Sequence, residues 1–496
     1  MNFKIFGKEV SLKKGGIITG VFLFFLTYFL SGTTEMPPLA VLCAASAVMM
    51  ATWWITEAVP LAATSLIPVA FFPLIGILKG DDVANSYINS TIFLFFGGFL
   101  IALAMEKWNL HKRIALKLVS IIGNSPSSVV LGFMVAGGML SMWISNTAAA
   151  IMLLPTGLAI ISQTKTNDES QNYKFAKALM LGIAYSCSIG GIATYVGTPP
   201  NLVFQRIFSQ NFPNASPLLF GEWVIYFLPL SILMLFIVWV LLTKVLFKTD
   251  NNLKTDKKNV KQELAELGPI GYEERIILTV FSLTALLWIF RDTLNFGFIS
   301  IPGWSNLFPV PKFIDDGTIS VFMALLLFFI PAKSNKEERI IDNNILKNVP
   351  WDIILLFGGG FALADAFVKT GLSDFIGSQF YFVKDLPVIL LILSIALGVT
   401  FLTELTSNTA TAQIFLPVLA SLAYANDINP FLLMIPATLS ASMAFMLPVA
   451  TPPNAVVFSS GKIKVKEMAR AGLMLNLIGA VIITVWVYLI FEIIRG

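Results

Sequence analysis

The chain has 496 residues and a formal net charge of +4; 56% of it is apolar and only 12% charged, against about 25% charged in an ordinary soluble protein. That balance excludes a soluble globular enzyme, carries no hint of a nucleic-acid partner, and places the chain in a bilayer. The single histidine, His111, excludes a multi-histidine metal site within one chain, and it reads as a solvated interfacial residue beside Lys112 and Arg113. Cys43 and Cys187 both sit in apolar runs and read as buried, reduced thiols.

Apolar stretches long enough to cross about 30 Å of hydrocarbon recur along the chain. Clear ones are Gly16–Leu30, Leu39–Ile55, Val224–Leu242, Ile276–Phe290 and Leu473–Ile494, and the longest polar loop spans about Lys248–Glu274. Lys4, Lys8, Lys13 and Lys14 precede the first stretch, without a small-residue cleavage site. Lys and Arg mark loops that stay cytoplasmic. The basic loops are Lys107–Lys117, Lys244–Lys261, Lys333–Lys347 and Lys462–Arg470; the loops between them, Ser31–Pro38, Gly80–Ser90, Gln210–Gly221 and Asn295–Asp316, are poor in both. One arrangement satisfies this pattern: an all-α integral protein of the cell membrane with about eleven crossing helices and two re-entrant hairpins. The N-terminus is then cytoplasmic and the C-terminus outside.

The hairpins are the informative exception. Ser128–Ile144 and Asn146–Ile160 flank Ser145-Asn146-Thr147, and Leu386–Thr403 and Thr409–Leu422 flank Ser407-Asn408-Thr409. Polar turns at membrane depth survive only where they are buried in protein or line a wet cavity. Three matches recur in the same order in both halves. Phe96-Gly97-Gly98 pairs with Phe357-Gly358-Gly359, the Ser145 segment through Pro155 pairs with the Ser407 segment through Pro417, and Gly197-Thr198-Pro199-Pro200-Asn201 pairs with Ala450-Thr451-Pro452-Pro453-Asn454. The segment from Thr91 runs inward and its mate from Trp351 runs outward, so the repeats are inverted and the two tips can meet near the midplane.

Ser, Asn and Thr at a tip offer hydroxyl and amide donors, and the helix that starts there adds free N–H groups and a positive dipole end, a combination suited to a carboxylate. Tip carbonyls suit a hard cation such as sodium. Thr198-Pro199 and Thr451-Pro452 supply a second wall, where the prolines are expected to interrupt a helix and free its carbonyls. One such motif alone would be a helix cap or a kink; duplication in register argues for a site. No Lys, Arg or His lies in either hairpin core or beside either Thr-Pro-Pro-Asn, and an uncompensated dianion there would cost several kcal/mol. Co-bound cations remove that cost, as helix dipoles and water could. Glu404 and Glu57 are candidate proton relays or helix tethers, tethering being favoured. Glu106, Asp352 and Asp365 lie near segment ends and read as interfacial or capping residues.

These motifs, with Trp53-Trp54-Ile55-Thr56-Glu57-Ala58, resemble the divalent anion:sodium symporter family over nearly the whole chain. The family includes sodium-coupled dicarboxylate and citrate carriers and sodium-independent exchangers. The resemblance implies that Ser145, Asn146, Thr147, Ser407, Asn408 and Thr409 hold substrate carboxylates, with Thr198, Pro199, Thr451 and Pro452 close by. It implies one sodium site at Ser141, Asn146 and Gly197 and another at Thr403, Asn408 and Ala450, with Thr406 near. It also implies a homodimer and elevator motion. Scaffold helices would fill 1–124 and 274–385, transport halves 125–245 and 386–496, and a cytoplasmic linker 246–273. A channel would more often show a symmetric pore ring. An enzyme is disfavoured by the lack of HExxH, GxSxG and a nucleotide-binding loop. Proton coupling through Glu404, and citrate or sulfate as substrate, stay open.

Overall fold

A computed structural model describes residues 2–5, 8–32, 35–123, 125–164, 169–249, 258–295, 300–334, 338–380 and 386–494. Residues 250–257 of the long polar loop lie outside the described residues. The helices are α1 Leu12–Ser31, α2 Pro38–Thr56, α3 Leu61–Thr64, α4 Ile67–Leu74, α5 Gly80–Tyr87, α6 Ser90–Lys107, α7 Leu110–Ile121, α8 Pro126–Ser141, α9 Asn146–Gln163, α10 Glu169–Gly191, α11 Pro199–Asn211 and α12 Phe220–Val240. They continue with α13 Lys258–Glu266, α14 Tyr272–Ile289, α15 Asp316–Phe329, α16 Trp351–Lys369, α17 Leu372–Gln379, α18 Val388–Thr403, α19 Asn408–Asn426, α20 Pro430–Ala441, α21 Pro452–Phe458 and α22 Val465–Tyr488. The only strands among the described residues are two small antiparallel ribbons, Asn2–Ile5 with Lys8–Ser11 and Leu294–Asn295 with Ser300–Ile301.

Among the described residues six helices are long and apolar enough to cross a membrane, and six more apolar helices are shorter. The first helix of each hairpin, α8 and α18, is one of the short ones, with 16 residues. That gives about 24 Å, less than the hydrocarbon thickness. Local chemistry sets the starts. Asn89 accepts from the Ile92 N–H at 3.2 Å, Ser125 from Ser128 at 3.3 Å with Pro126 at the first helical position, and Asp315 from Thr318 at 2.7 Å.

The repeat extends well beyond its motifs. Long helix, short helix, hairpin, broken helix and final helix run through α6 to α12 and again, in the same order, through α16 to α22. The halves interlock: α9 and α10 pack on α21, and α11 packs on α19 and α20.

Loops that the charge pattern groups on one side are bonded to one another. Lys107 pairs with Asp342 at 3.2 Å, and the Trp108 indole donates to the Ile340 carbonyl. Arg113 grips Glu274 with two N–H groups and donates to the carbonyls of Leu267 and Gly268. Lys177 pairs with Glu467 at 2.6 Å. On the other side Lys369 pairs with Asp82 at 3.2 Å. Three of the basic loops are partly α-helical, since α7, α13 and the start of α22 carry part of their charge. His111 is half-buried, with Nδ1 3.0 Å from the Met105 carbonyl, and is not the solvated residue expected.

Candidate functional site

Both tips open onto one cavity of about 970 Å³. Its wall includes Ser145, Asn146, Thr147, Gly197, Thr198, Pro199, Thr406, Ser407, Asn408, Thr409, Ala450, Thr451 and Pro452. The structure thus brings together every residue expected to touch substrate. Among the described residues no Lys, Arg or His lines it, while Glu57, Asp352 and Glu404 do.

The tips are built alike. In the first, the Ser141 hydroxyl faces both Asn146 Oδ1 and, at 2.6 Å, the Cys187 carbonyl. In the second, the Thr403 hydroxyl faces Asn408 Oδ1 and the Ala441 carbonyl, each at 2.8 Å. One hydroxyl proton cannot make two full-strength bonds at once. Asn146 Oδ1 also stands 3.3 Å from the carbonyls of Cys187 and Gly197. Oxygens gather this closely when a proton or a cation lies among them. Turning the Asn146 amide over would supply protons; a hard cation with oxygen preference would serve equally, and sodium fits the donor set. Glycine is required here, because a Cβ on Gly197 would come within 2.5 Å of the Gly191 carbonyl oxygen, and one on Gly191 within 3.1 Å of Asn146 Oδ1.

The Thr-Pro-Pro-Asn motifs work differently from the expected interruption. Pro199-Pro200 and Pro452-Pro453 open α11 and α21, at first-turn positions where a missing N–H costs nothing. The non-helical stretches lie upstream, at 192–198 and 442–451. The asparagine of each motif staples its stretch: Asn201 Nδ2 donates to Gly191 and Thr194 carbonyls at 3.1 and 2.7 Å, and Asn454 Nδ2 to Ala444 and Leu447 carbonyls, both at 3.0 Å. Both asparagines are fully buried. Sequence reading noted them only as part of the motif; their duplication was the available signal.

Other expected residues fall less uniformly. Ser145 caps α9, accepting from the Ala148 N–H, whereas Ser407 makes no such cap bond. Thr198 Oγ1 lies 3.3 Å from Ser442 Oγ of the other repeat. Thr406 shares the cavity wall, but its hydroxyl engages Thr411 at 2.6 Å and the Leu402 carbonyl, not Thr403 or Asn408. Glu404 is a tether. Its buried carboxylate accepts from the N–H groups of Phe445, Met446 and Leu447 and from Asn476 Nδ2, at 2.6 to 3.2 Å. Position 142 matches it in the first repeat, where the Met142 carbonyl instead accepts from the Thr194 hydroxyl at 2.5 Å. Glu57 closes α2 in left-handed conformation (φ 46°) and is exposed at the cavity; the tether expected for it is not found among the described residues. Asp352 also faces the cavity, while Asp365 pairs with Lys369 at 3.0 Å.

At Trp143 the cavity wall is backed by aromatic rings. Trp143 meets Phe281 edge-on at 5.2 Å and lies parallel to Trp288 at 6.5 Å. The matching residue of the second repeat, Leu405, is 72% exposed, and Val449 beside it 85%.

Residues 14–494 match the family described as the sodium:sulfate symporter transmembrane region. The chain belongs to that family. It is 44% identical over 488 residues to the sodium-dependent dicarboxylate transporter SdcS of Staphylococcus aureus strain MRSA252, covering 97% of this chain and 92% of the relative. The SdcS of strain NCTC 8325 matches with the same identity and coverage. The YdaH transporter of Alcanivorax borkumensis shares the fold at a TM-score of 0.56, with 13% identity over 84% of this chain and 87% of that one. This sodium:sulfate symporter family member is a multi-pass membrane transporter and not an enzyme.

Proposed function

We propose that the chain is a sodium-coupled symporter of small dicarboxylates of the succinate, malate, fumarate and 2-oxoglutarate class. The observation that carries this reading is a cavity with a duplicated set of hydroxyl, amide and carbonyl oxygens and, among the described residues, no cation in its wall. A dianion held between Ser145-Asn146-Thr147 and Ser407-Asn408-Thr409 meets donors and the starts of α9 and α19, but no fixed positive charge. Sodium at Ser141, Asn146 and Gly197, and at Thr403, Asn408 and Ala450, supplies that charge as cargo. The names of the relatives support both parts. Membership of the sodium:sulfate symporter family favours sulfate as a second reading. The tips recognise an oxyanion without measuring its length, so uptake into proteoliposomes decides. Succinate should compete with labelled succinate at far lower concentration than sulfate or citrate; the reverse order would establish the sulfate or citrate reading.

We also propose a homodimer in the plasma membrane with a cytoplasmic N-terminus and an external C-terminus. The cavity mouth then lies at the cytoplasmic ends of α2 and α16, and an elevator movement of 125–245 and 386–496 against the rest carries it across. A cysteine replacing exposed Lys466 should react with an impermeant maleimide only from the cytoplasm, and one replacing exposed Asp374 only from outside. Reaction of both from one side would break the inverted arrangement.

A further inference from the structure

The two repeats agree at their tips and differ where each hairpin meets its Phe-Gly-Gly helix. In the second repeat Gln413 of α19 is fully buried, and its Nε2 donates to the Leu356 carbonyl of α16 at 2.7 Å. The fit is tight, since a Cβ on Gly360 would stand 2.4 Å from the Gln413 amide carbon. In the first repeat Ile151 occupies the place of Gln413 and is 55% exposed, while Phe99 occupies the place of Gly360 and lines the cavity. One hairpin is docked on its partner helix, and at the other Phe99 faces the cavity and Ile151 is left exposed.

We propose that Gln413 is a clamp holding the second hairpin against α16 while the cavity is open to one side, and that its bond to Leu356 breaks when access changes sides. This rests on the alternating-access reading above. The chemistry suits a bond that must release. Gln413 donates to a backbone carbonyl that has a second lone pair for its own helix, and its Oε1 has no partner among the described residues. A half-satisfied buried amide gains only a modest net free energy from its single bond. An apolar residue there would lack the bond, and Gly360→Ala would push the amide off its acceptor.

The test uses Val449→Cys, at a side chain 85% exposed in the cavity; both native cysteines are fully buried and serve as a silent background. Labelling by an impermeant maleimide is followed from each side of oriented proteoliposomes, alone and with Gln413→Leu, Gln413→Asn or Gly360→Ala. The clamp predicts labelling from the cytoplasmic side about fivefold slower in each combination, as expected for one net hydrogen bond, with labelling from outside correspondingly faster. The Asn variant keeps the polarity but cannot span the gap, so it reports even where a Leu or an added methyl prevents folding. Unchanged or faster cytoplasmic labelling, in a parent that labels from both sides, overturns the clamp and leaves alternating access standing. A parent that labels from one side only, at a rate none of the variants alters, overturns both.

Discussion

Replacing Asn146 or Asn408 by Ala is expected to abolish the rise in thermal stability that substrate gives in sodium buffer, while expression and elution volume stay those of the parent. Each asparagine places its amide between a hydroxyl and the cavity. On the proposed binding mode, its loss removes an oxygen offered to sodium and donors offered to the substrate together. With ligand at about 100 times Kd the parent gains about 2.7 kcal/mol, and a hundredfold loss of affinity leaves about 0.4 kcal/mol. Ser125→Ala is the contrasting control. It removes the cap on Ser128 at the start of α8, outside the cavity wall, and should lower stability by about 1 kcal/mol with or without ligand. Full ligand response and normal transport in both asparagine variants would mean that these tripeptides only start helices.

Uptake into empty vesicles is expected to need external sodium and to rise when the interior is made negative. A dianion carried with about three sodium ions moves a net charge of about +1, which gains about 2.3 kcal/mol per 100 mV. Potassium diffusion potentials of both signs, with choline replacing sodium in a parallel series, give the measurement. No uptake into empty vesicles, fast uptake into preloaded ones and indifference to choline would establish exchange, and would leave the fold and the tips untouched.

Much of this was legible in the sequence because polar residues stand out in an apolar chain, and duplicated ones stand out further. Ser145-Asn146-Thr147, Ser407-Asn408-Thr409 and both Thr-Pro-Pro-Asn motifs were visible for that reason, and the structure gathers them at one cavity. Residues whose roles depend on distant partners were not. Asn201 and Asn454 act through carbonyls seven and ten residues upstream that nothing in their type reveals. Glu404 could be read as relay or tether until its partners, 41 to 72 residues further on, were placed. Gln413 was visible only as a mismatch with Ile151. The helices α7 and α13 were hidden because Lys and Arg form helices readily, so their charge marks the side of the membrane and says little about loop or helix.

The interlocking of the halves sets the order in which the protein can be made. Because α9 packs on α21 and α11 on α19, the first hairpin, although packed on α7, α10 and α12 of its own half, still lacks α21 while the ribosome is translating the second repeat. Contacts between residues this far apart in sequence are slow to form and leave polar backbone waiting. The Tyr185 hydroxyl meets its acceptor only when Phe445 arrives, 260 residues later. The nascent first half must therefore wait in the bilayer with its tip incompletely covered, and the cavity comes into being as a late event of biogenesis, after Phe458 has been inserted.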